Sequence, residues 1–217
     1  MAKKQVVVIG LGRFGSSLAR TLTDLGHEVL ALDRDIKKVE EIADFATQAA
    51  QLDATDEDAL REMGVRNFDI GVVSIGSDLK SSILTTLLLK RLGVRMVISK
   101  AQDDLHGDIL AKVGADRVVY PERETGVRVA HGLVTPNLVD YLEVMPGYGI
   151  AKLVAPDAFI GRELGQIDLK GRYGLTTLVL RRGDELILNP TRSEVVNRGD
   201  ILIVAGRDEQ LEAIRTG

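Results

Sequence analysis

The chain has 217 residues, 45% of them hydrophobic, enough for one large or two small domains with a real core; two is the expected number. A net charge of −4 comes from mixed acids and bases without a basic stripe, and aromatics make up only 4%, so neither phosphate-backbone attraction nor base stacking is provided for and nucleic acid is excluded as a partner. The absence of cysteine removes disulfides, thiolate zinc sites and a cysteine nucleophile; with no secretory stretch after Met1 and no apolar run near the ~18 residues of a membrane span, a soluble cytoplasmic protein is expected.

The first predicted element is a strand, Gln5 to Ile9, running directly into Gly10-Leu11-Gly12-Arg13-Phe14-Gly15. A strand reverses into a helix over so few residues only where backbone without a Cβ accepts positive φ and close packing. In this pattern Gly10 makes the turn, Gly12 admits a pyrophosphate to the main chain, and Gly15 packs the helix on the strand. The helix begins near Arg13, aims its free N–H groups at the same anion, and carries Phe14, Leu18, Leu22 and Leu25 at helical spacing. Arg13 is an unusual letter here: a cation is slightly unfavourable at a helix N-terminus unless an anion meets it, and a guanidinium grips a terminal phosphate bidentately, which hints at a di- or triphosphate.

The second predicted strand, from His27, ends at Asp33, where a carboxylate accepts hydrogen bonds from adenosine ribose hydroxyls; Arg34 follows it. Further strands are predicted at Thr47 to Gln51, Ile70 to Ser74, Met96 to Ser99 and Arg117 to Val119, alternating with helices whose exits carry Gly64, Gly93 and Gly114. Such alternation predicts an α/β fold, a Rossmann-like doubly wound parallel sheet over residues 1–120.

Ligands of such sheets lie beyond the carboxyl ends of the strands, so the residues there are read together. Asp53 and Ala54 follow the third strand, with Asp53 placed for an adenine amino group; Thr55 reads either as a ligand contact or, preferably, as the cap of a helix over 56–63. Ile75 and Gly76 offer an apolar face and a close backbone approach. Lys100 is a candidate phosphate counter-charge, and Glu122 a candidate divalent-cation ligand as well as an ordinary first-turn helix acid.

A helix is predicted from Glu122 to Val134, interrupted at Pro136 and resumed from Asn137 to Glu143, giving a crossover segment at 121–145 before the Pro146-Gly147 break. Residues 146–217 read as a small α+β domain, with strands at 150–154, 175–180, 185–188 and 201–204, a short helix near Arg162 to Leu164 and a closing helix from Arg207 to Ile214. Its size makes pairing with another copy plausible.

Catalytic constellations are not evident. Tyr148 and Lys152 have the Tyr-x-x-x-Lys spacing of short-chain dehydrogenases, but Pro146, Gly147 and Gly149 spoil the helix that the pair would need. His27, His106 and His131 are solitary, and the acids at 103, 104 and 108 read as a helix start. Binding without chemistry is the expectation, with a NAD(H)-dependent oxidoreductase or redox sensor as the alternative.

The segments Ile9-Gly-Leu-Gly-Arg-Phe-Gly15, Asp53-Ala-Thr-Asp56, Ser81-Ser-Ile-Leu-Thr-Thr-Leu-Leu-Leu-Lys90, Lys100-Ala101, Lys112-Val-Gly-Ala-Asp116, Pro121-Glu-Arg-Glu124 and Gly199-Asp-Ile-Leu-Ile-Val-Ala-Gly206 resemble the Trk/Ktr cytosolic potassium-uptake subunits of the RCK (regulator of potassium conductance) family, nearer the Ktr type. The resemblance implies a non-enzymatic gating ring, typically an octamer, beneath a membrane potassium channel and so peripheral to the inner face of the membrane. ATP versus ADP would set the ring's shape, Arg13 would reach the γ-phosphate region, Asp33 would hold ribose, and Glu122 would help bind a cation. It also implies that paired C-terminal domains can bind cyclic di-AMP, for which Arg172, Tyr173 and Pro190 are candidates beside their reading as turn residues between strands.

Overall fold

A computed structural model describes residues 2–134 and 137–214. The chain divides into two compact units at the step from Glu122 to Arg123.

In the first unit, strands β1 (Gln5–Ile9), β2 (Glu28–Asp33), β3 (Gln48–Gln51), β4 (Ile70–Val73), β5 (Met96–Lys100) and β6 (Arg117–Val119) form one sheet in the order β3-β2-β1-β4-β5-β6. Every pairing is parallel. Helices α1 (Arg13–Asp24), α2 (Ile36–Ile42), α3 (Glu57–Glu62), α4 (Leu79–Arg91) and α5 (Asp104–Lys112) alternate with the strands. The run Val6-Val7-Val8-Ile9 is buried throughout because the sheet is covered on both faces. Val7 and Ile9 join Leu30, Leu32, Leu60 and Leu89 in one layer, while Val6 and Val8 join Ala19, Val29, Val39 and Ile42 in the other. Gly64, Gly93 and Gly114 follow α3, α4 and α5 with positive φ.

Two expectations change here. Helix α1 buries Gly15 and Ala19, with Leu18 and Leu22 only partly covered. Leu25, expected on the packed face, is 69% exposed. The cap of α3 is Asp56, whose carboxylate accepts from the Asp58 and Ala59 amides, rather than Thr55. Thr55 instead donates both its amide and its hydroxyl to Asp53 Oδ1, at 2.9 and 2.7 Å.

The second unit begins with most of α6 (Pro121–Val134), opened by a proline at the position where a missing N–H costs nothing. Strands β7 (Leu138–Met145), β8 (Tyr148–Val154), β9 (Thr176–Arg182), β10 (Glu185–Leu188) and β11 (Ile201–Arg207) form an antiparallel sheet in the order β10-β9-β11-β8-β7. Short helices α7 (Leu164–Ile167), α8 (Leu169–Tyr173) and α9 (Asp208–Ala213) pack a core that includes Leu153, Ile167, Leu175, Leu180 and Leu202. The helix expected near 162–164 thus runs later and in two pieces, parted by Asp168 at φ 50, and Arg207 ends a strand instead of opening the last helix.

The predicted helix over 137–143 is a strand. Residues 138–145 pair with β8 through a hairpin whose turn is Pro146-Gly147, with Gly147 at φ 79, the proline-then-glycine chemistry of a type II turn. Along β7 Tyr141 alone is buried. Its ring lies where a Cβ on Gly149 would stand, it stacks on His131 at 4.1 Å, and its hydroxyl donates to Asp208 at 2.7 Å. Burial, with Asp208 adding to it, pushes the Tyr141 phenol well above its usual pKa. The interruption expected at Pro136 lies outside the described residues. Tyr148 and Lys152 stand on β8, so their spacing is that of a strand.

Candidate functional site

A cavity of about 380 Å³ opens beyond the carboxyl ends of the parallel strands, where β1 and β4 part and the chain runs to opposite sides of the sheet. Crevices at such a switch point are where doubly wound sheets take ligands. Gly10, Gly12, Arg13, Phe14, Asp33, Arg34, Asp53, Ala54, Ile75, Gly76, Lys100 and Glu122 all line it. Gly15, the remaining predicted residue, is buried beneath the turn, where a Cβ would overlap the Gly10 carbonyl oxygen and crowd Ser74 Oγ.

The turn is built from its glycines. Gly10 has φ 94, closed to side-chain-bearing residues without strain, and it lies against the Ser74 and Ile75 backbone. Gly12 is the N-cap of α1, and a Cβ there would meet open space. Among the described residues no packing therefore asks for glycine at 12; a Cβ would intrude on whatever approaches the helix end. Arg13, the first residue of α1, is exposed and makes no ion pair among the described residues.

Asp33 is 7% exposed and held as an acceptor: Leu11 N donates to Oδ2 at 2.7 Å, Asp35 N to Oδ1 at 2.9 Å, and Lys38 Nζ lies 3.4 Å from Oδ2. Arg34 reaches Asp78 at 3.7 Å. Hydrogen bonds from Thr55 hold the Asp53 carboxyl below its usual pKa. Ala54 places its carbonyl under the Thr85 hydroxyl, at 3.1 Å.

At the other end, the Lys100 ammonium, 11% exposed, pairs with the Glu122 carboxylate across the adjacent ends of β5 and β6. That contact is the main cause of a Glu122 pKa below its ordinary value. The two residues read separately as phosphate counter-charge and cation ligand are thus partners of each other. Among the described residues no group of three His, Asp or Glu side chains gathers to hold a metal.

Several lining residues escape the sequence reading: Lys38, Leu52, Ser74, Ser77, Ser81 and Thr85. Ser74 Oγ donates to the Gly10 carbonyl at 2.5 Å, clamping the glycine turn to the end of β4. Ser81 and Thr85 share a face of α4 at i, i+4 spacing, a signal available in the segment 81–90 once that helix is placed beside the switch point. In the second unit, Arg172 and Tyr173 belong to α8 rather than to a turn; the Tyr173 ring packs toward Phe159, with centroids 6.3 Å apart, and Pro190 follows β10.

A parallel sheet of order 3-2-1-4-5-6 with a glycine turn and an anchored carboxylate at its switch point defines a Rossmann-like domain, followed here by a small antiparallel α+β domain. Residues 6–121 match the TrkA-N domain and residues 150–216 the TrkA-C domain. The chain is 45% identical to the Ktr system potassium uptake protein C of Bacillus subtilis, over 94% of this chain and 92% of that one. It is 36% identical to the Ktr system potassium uptake protein A of the same organism, over 96% and 94%. Among solved structures, the GsuK RCK domain superposes with a TM-score of 0.68 at 18% identity, covering 99% of this chain and 47% of that one, and the GsuK channel bound to NAD with 0.67 at 19%, covering 98% and 39%. The chain belongs to the TrkA/Ktr potassium-uptake family, with an RCK-type fold. Among the described residues no helix is long and apolar enough to cross a membrane.

Proposed function

We propose that the protein is a cytoplasmic, non-enzymatic gating subunit that binds an adenine nucleotide in the cavity at the β1/β4 switch point and switches a membrane potassium channel by exchange of ATP for ADP. The observation that carries the reading is the joint lining of one cavity by the anchored Asp33 carboxylate, an open helix N-terminus at Gly12, an Arg13 with no ion pair among the described residues and a nearly buried Lys100. Anion-seeking groups at one end and a carboxylate with apolar neighbours at the other suit an adenosine polyphosphate. Gating then needs differential binding, because a nucleotide that fits two ring shapes equally shifts neither. Assembly as an octameric ring of dimers is part of the same proposal, as is a divalent cation completed by phosphate oxygens beside Glu122.

Calorimetric titration of the purified protein with ATP, ADP, AMP, NADH and cyclic di-AMP, with and without magnesium, tests this directly. Preference for ATP or ADP with a phosphate-dependent cation effect supports the reading; tight, selective NADH binding overturns it. Asp33 also favours a second reading, since the same acceptor serves the adenosine ribose of NADH. Hydride transfer to a substrate above buffer controls, lost in Gly12→Val, would make the protein an oxidoreductase. Cyclic di-AMP heats that vanish in Arg172→Ala would assign it to the second unit.

A further inference from the structure

We infer that His106 is a positioning residue for the Lys100–Glu122 pair and, through it, for the phosphates of a bound nucleotide; the inference rests on the nucleotide reading above. His106 sits in the first turn of α5 and is 1% exposed. Its Nδ1 accepts the Gln102 amide proton at 3.3 Å, so the neutral ring carries its own proton on Nε2. That Nε2 is buried with no hydrogen-bond partner among the described residues. An orphaned N–H in a packed interior lowers stability, and a leucine would fill the space without one. What a leucine lacks is the acceptor at Nδ1, and that acceptor tethers the segment directly after Lys100.

The next residue braces the other arm. A Cβ on Gly107 would overlap the Tyr120 hydroxyl, so the Tyr120 ring rests against α5 at that point. Gln102 stands two residues after Lys100, and Tyr120 two residues before Glu122. One step of α5, His106 to Gly107, therefore touches both chain segments that deliver the pair. Ala101 N donating to Val119 O at 2.9 Å ties the same segments to each other. Burial holds the His106 ring in its neutral form against the nearby Asp103 carboxylate, which keeps Nδ1 an acceptor. With both arms fixed, Lys100 presents its ammonium to the cavity from a nearly buried position, and little side-chain entropy remains to be lost when an anion arrives.

The test compares ATP with adenosine, which shares the base and ribose and lacks the phosphates. In His106→Leu, ATP affinity is expected to fall about tenfold, the scale of one charge-assisted contact misplaced, while adenosine affinity stays within about twofold. His106→Asn, whose side-chain oxygen can accept from Gln102 in place of Nδ1, is expected to recover most of the loss. Nitrogen-15 spectra of the wild-type imidazole are expected to show the Nε2–H tautomer, a reading that needs no variant. Parallel losses of ATP and adenosine, an unchanged ATP affinity in His106→Leu, failure of the Asn variant to recover, or an Nδ1–H tautomer would each overturn the inference. If the wild type binds neither ATP nor adenosine, the nucleotide reading itself falls and takes the inference with it; binding by the wild type with no selective loss in the variants sinks the inference alone.

Discussion

The Leu11 amide donates to Asp33 Oδ2 at 2.7 Å, joining the glycine turn after β1 to the last residue of β2. With the Asp35 amide on the other oxygen, the carboxylate fixes the position of two loops before any ligand arrives. In Asp33→Asn one backbone N–H must face an amide NH2 group, so a stability loss of about 1–2 kcal/mol is expected, with a larger loss in adenosine binding. Urea denaturation beside adenosine titration checks both; wild-type behaviour in either would remove Asp33 from the corresponding role.

Gly12 and Gly15 separate folding from binding. Gly15→Ala drives a Cβ into the Gly10 carbonyl and Ser74, so a destabilisation of roughly 1–3 kcal/mol is expected. Gly12→Ala meets open space at φ −68 and should unfold within about 1 kcal/mol of wild type while losing nucleotide affinity. Denaturation midpoints and ligand titrations of the two variants check the contrast, and equal unfolding penalties would contradict it.

Arg13→Ala should weaken ATP by about tenfold or more and leave adenosine and NADH nearly unchanged, since only a terminal phosphate needs a guanidinium at the first position of α1. Competition titrations with the three ligands check this. A common loss for all three would assign Arg13 to the architecture of the turn.

Acid stability should depend on Asp116. Its carboxylate accepts from Lys90 Nζ at 2.8 Å and from the Val97 amide at 2.6 Å, and these contacts, Lys90 first, hold its pKa below the usual 3.8. A carboxyl depressed in the folded state contributes stability that is fully present above its unfolded pKa and lost as pH falls through the folded value. Asp116→Asn should therefore lie below wild type at neutral pH and converge with it below about pH 4. Denaturation midpoints measured from pH 7 to pH 3 would show a constant gap if the idea is wrong.

In the second unit, Arg182 clamps Asp200 through Nε at 3.1 Å and Nη2 at 2.9 Å, reaches Glu194 at 3.1 Å and caps the Val195 carbonyl at 2.7 Å. Asp200 is 1% exposed, so Arg182→Ala leaves a buried carboxylate without its cation, at a cost of about 3 kcal/mol or more. The double variant Arg182→Met, Asp200→Leu should recover part of that loss, because the orphaned charge is gone. Chemical denaturation of the single and double variants decides it.

The first unit was legible because its strands are buried on both faces and read as unbroken apolar runs, with the glycine turn and Asp33 supplying the order of events. Strand β7 was not legible in the same way. Only Tyr141 is inside, so Leu138-Val-Asp-Tyr-Leu-Glu-Val144 carries no alternation to oppose a helix, and the decisive signal was Pro146-Gly147 between two such runs. The cavity's membership followed from the rule that ligands lie at strand ends. The mutual pairing of Lys100 and Glu122 did not, since it requires β5 and β6 to be neighbours in the sheet. His106 was legible as solitary and nothing more; its value depends on which backbone amide its ring meets.

The cavity also lies on a seam. Residues 9–55 supply one wall and residues 74–122 the other, and the polar stitches between them at this end include Ser74 to the Gly10 and Ile9 carbonyls, Thr85 to the Ala54 carbonyl and Arg34 to Asp78. A nucleotide spanning Asp33 and Lys100 would act as a removable crosslink between two halves of one sheet. By mass action, ligand at a hundred times its dissociation constant adds about 2.7 kcal/mol to the folded state. Resistance to unfolding in this unit would then rise and fall with the concentration of free nucleotide.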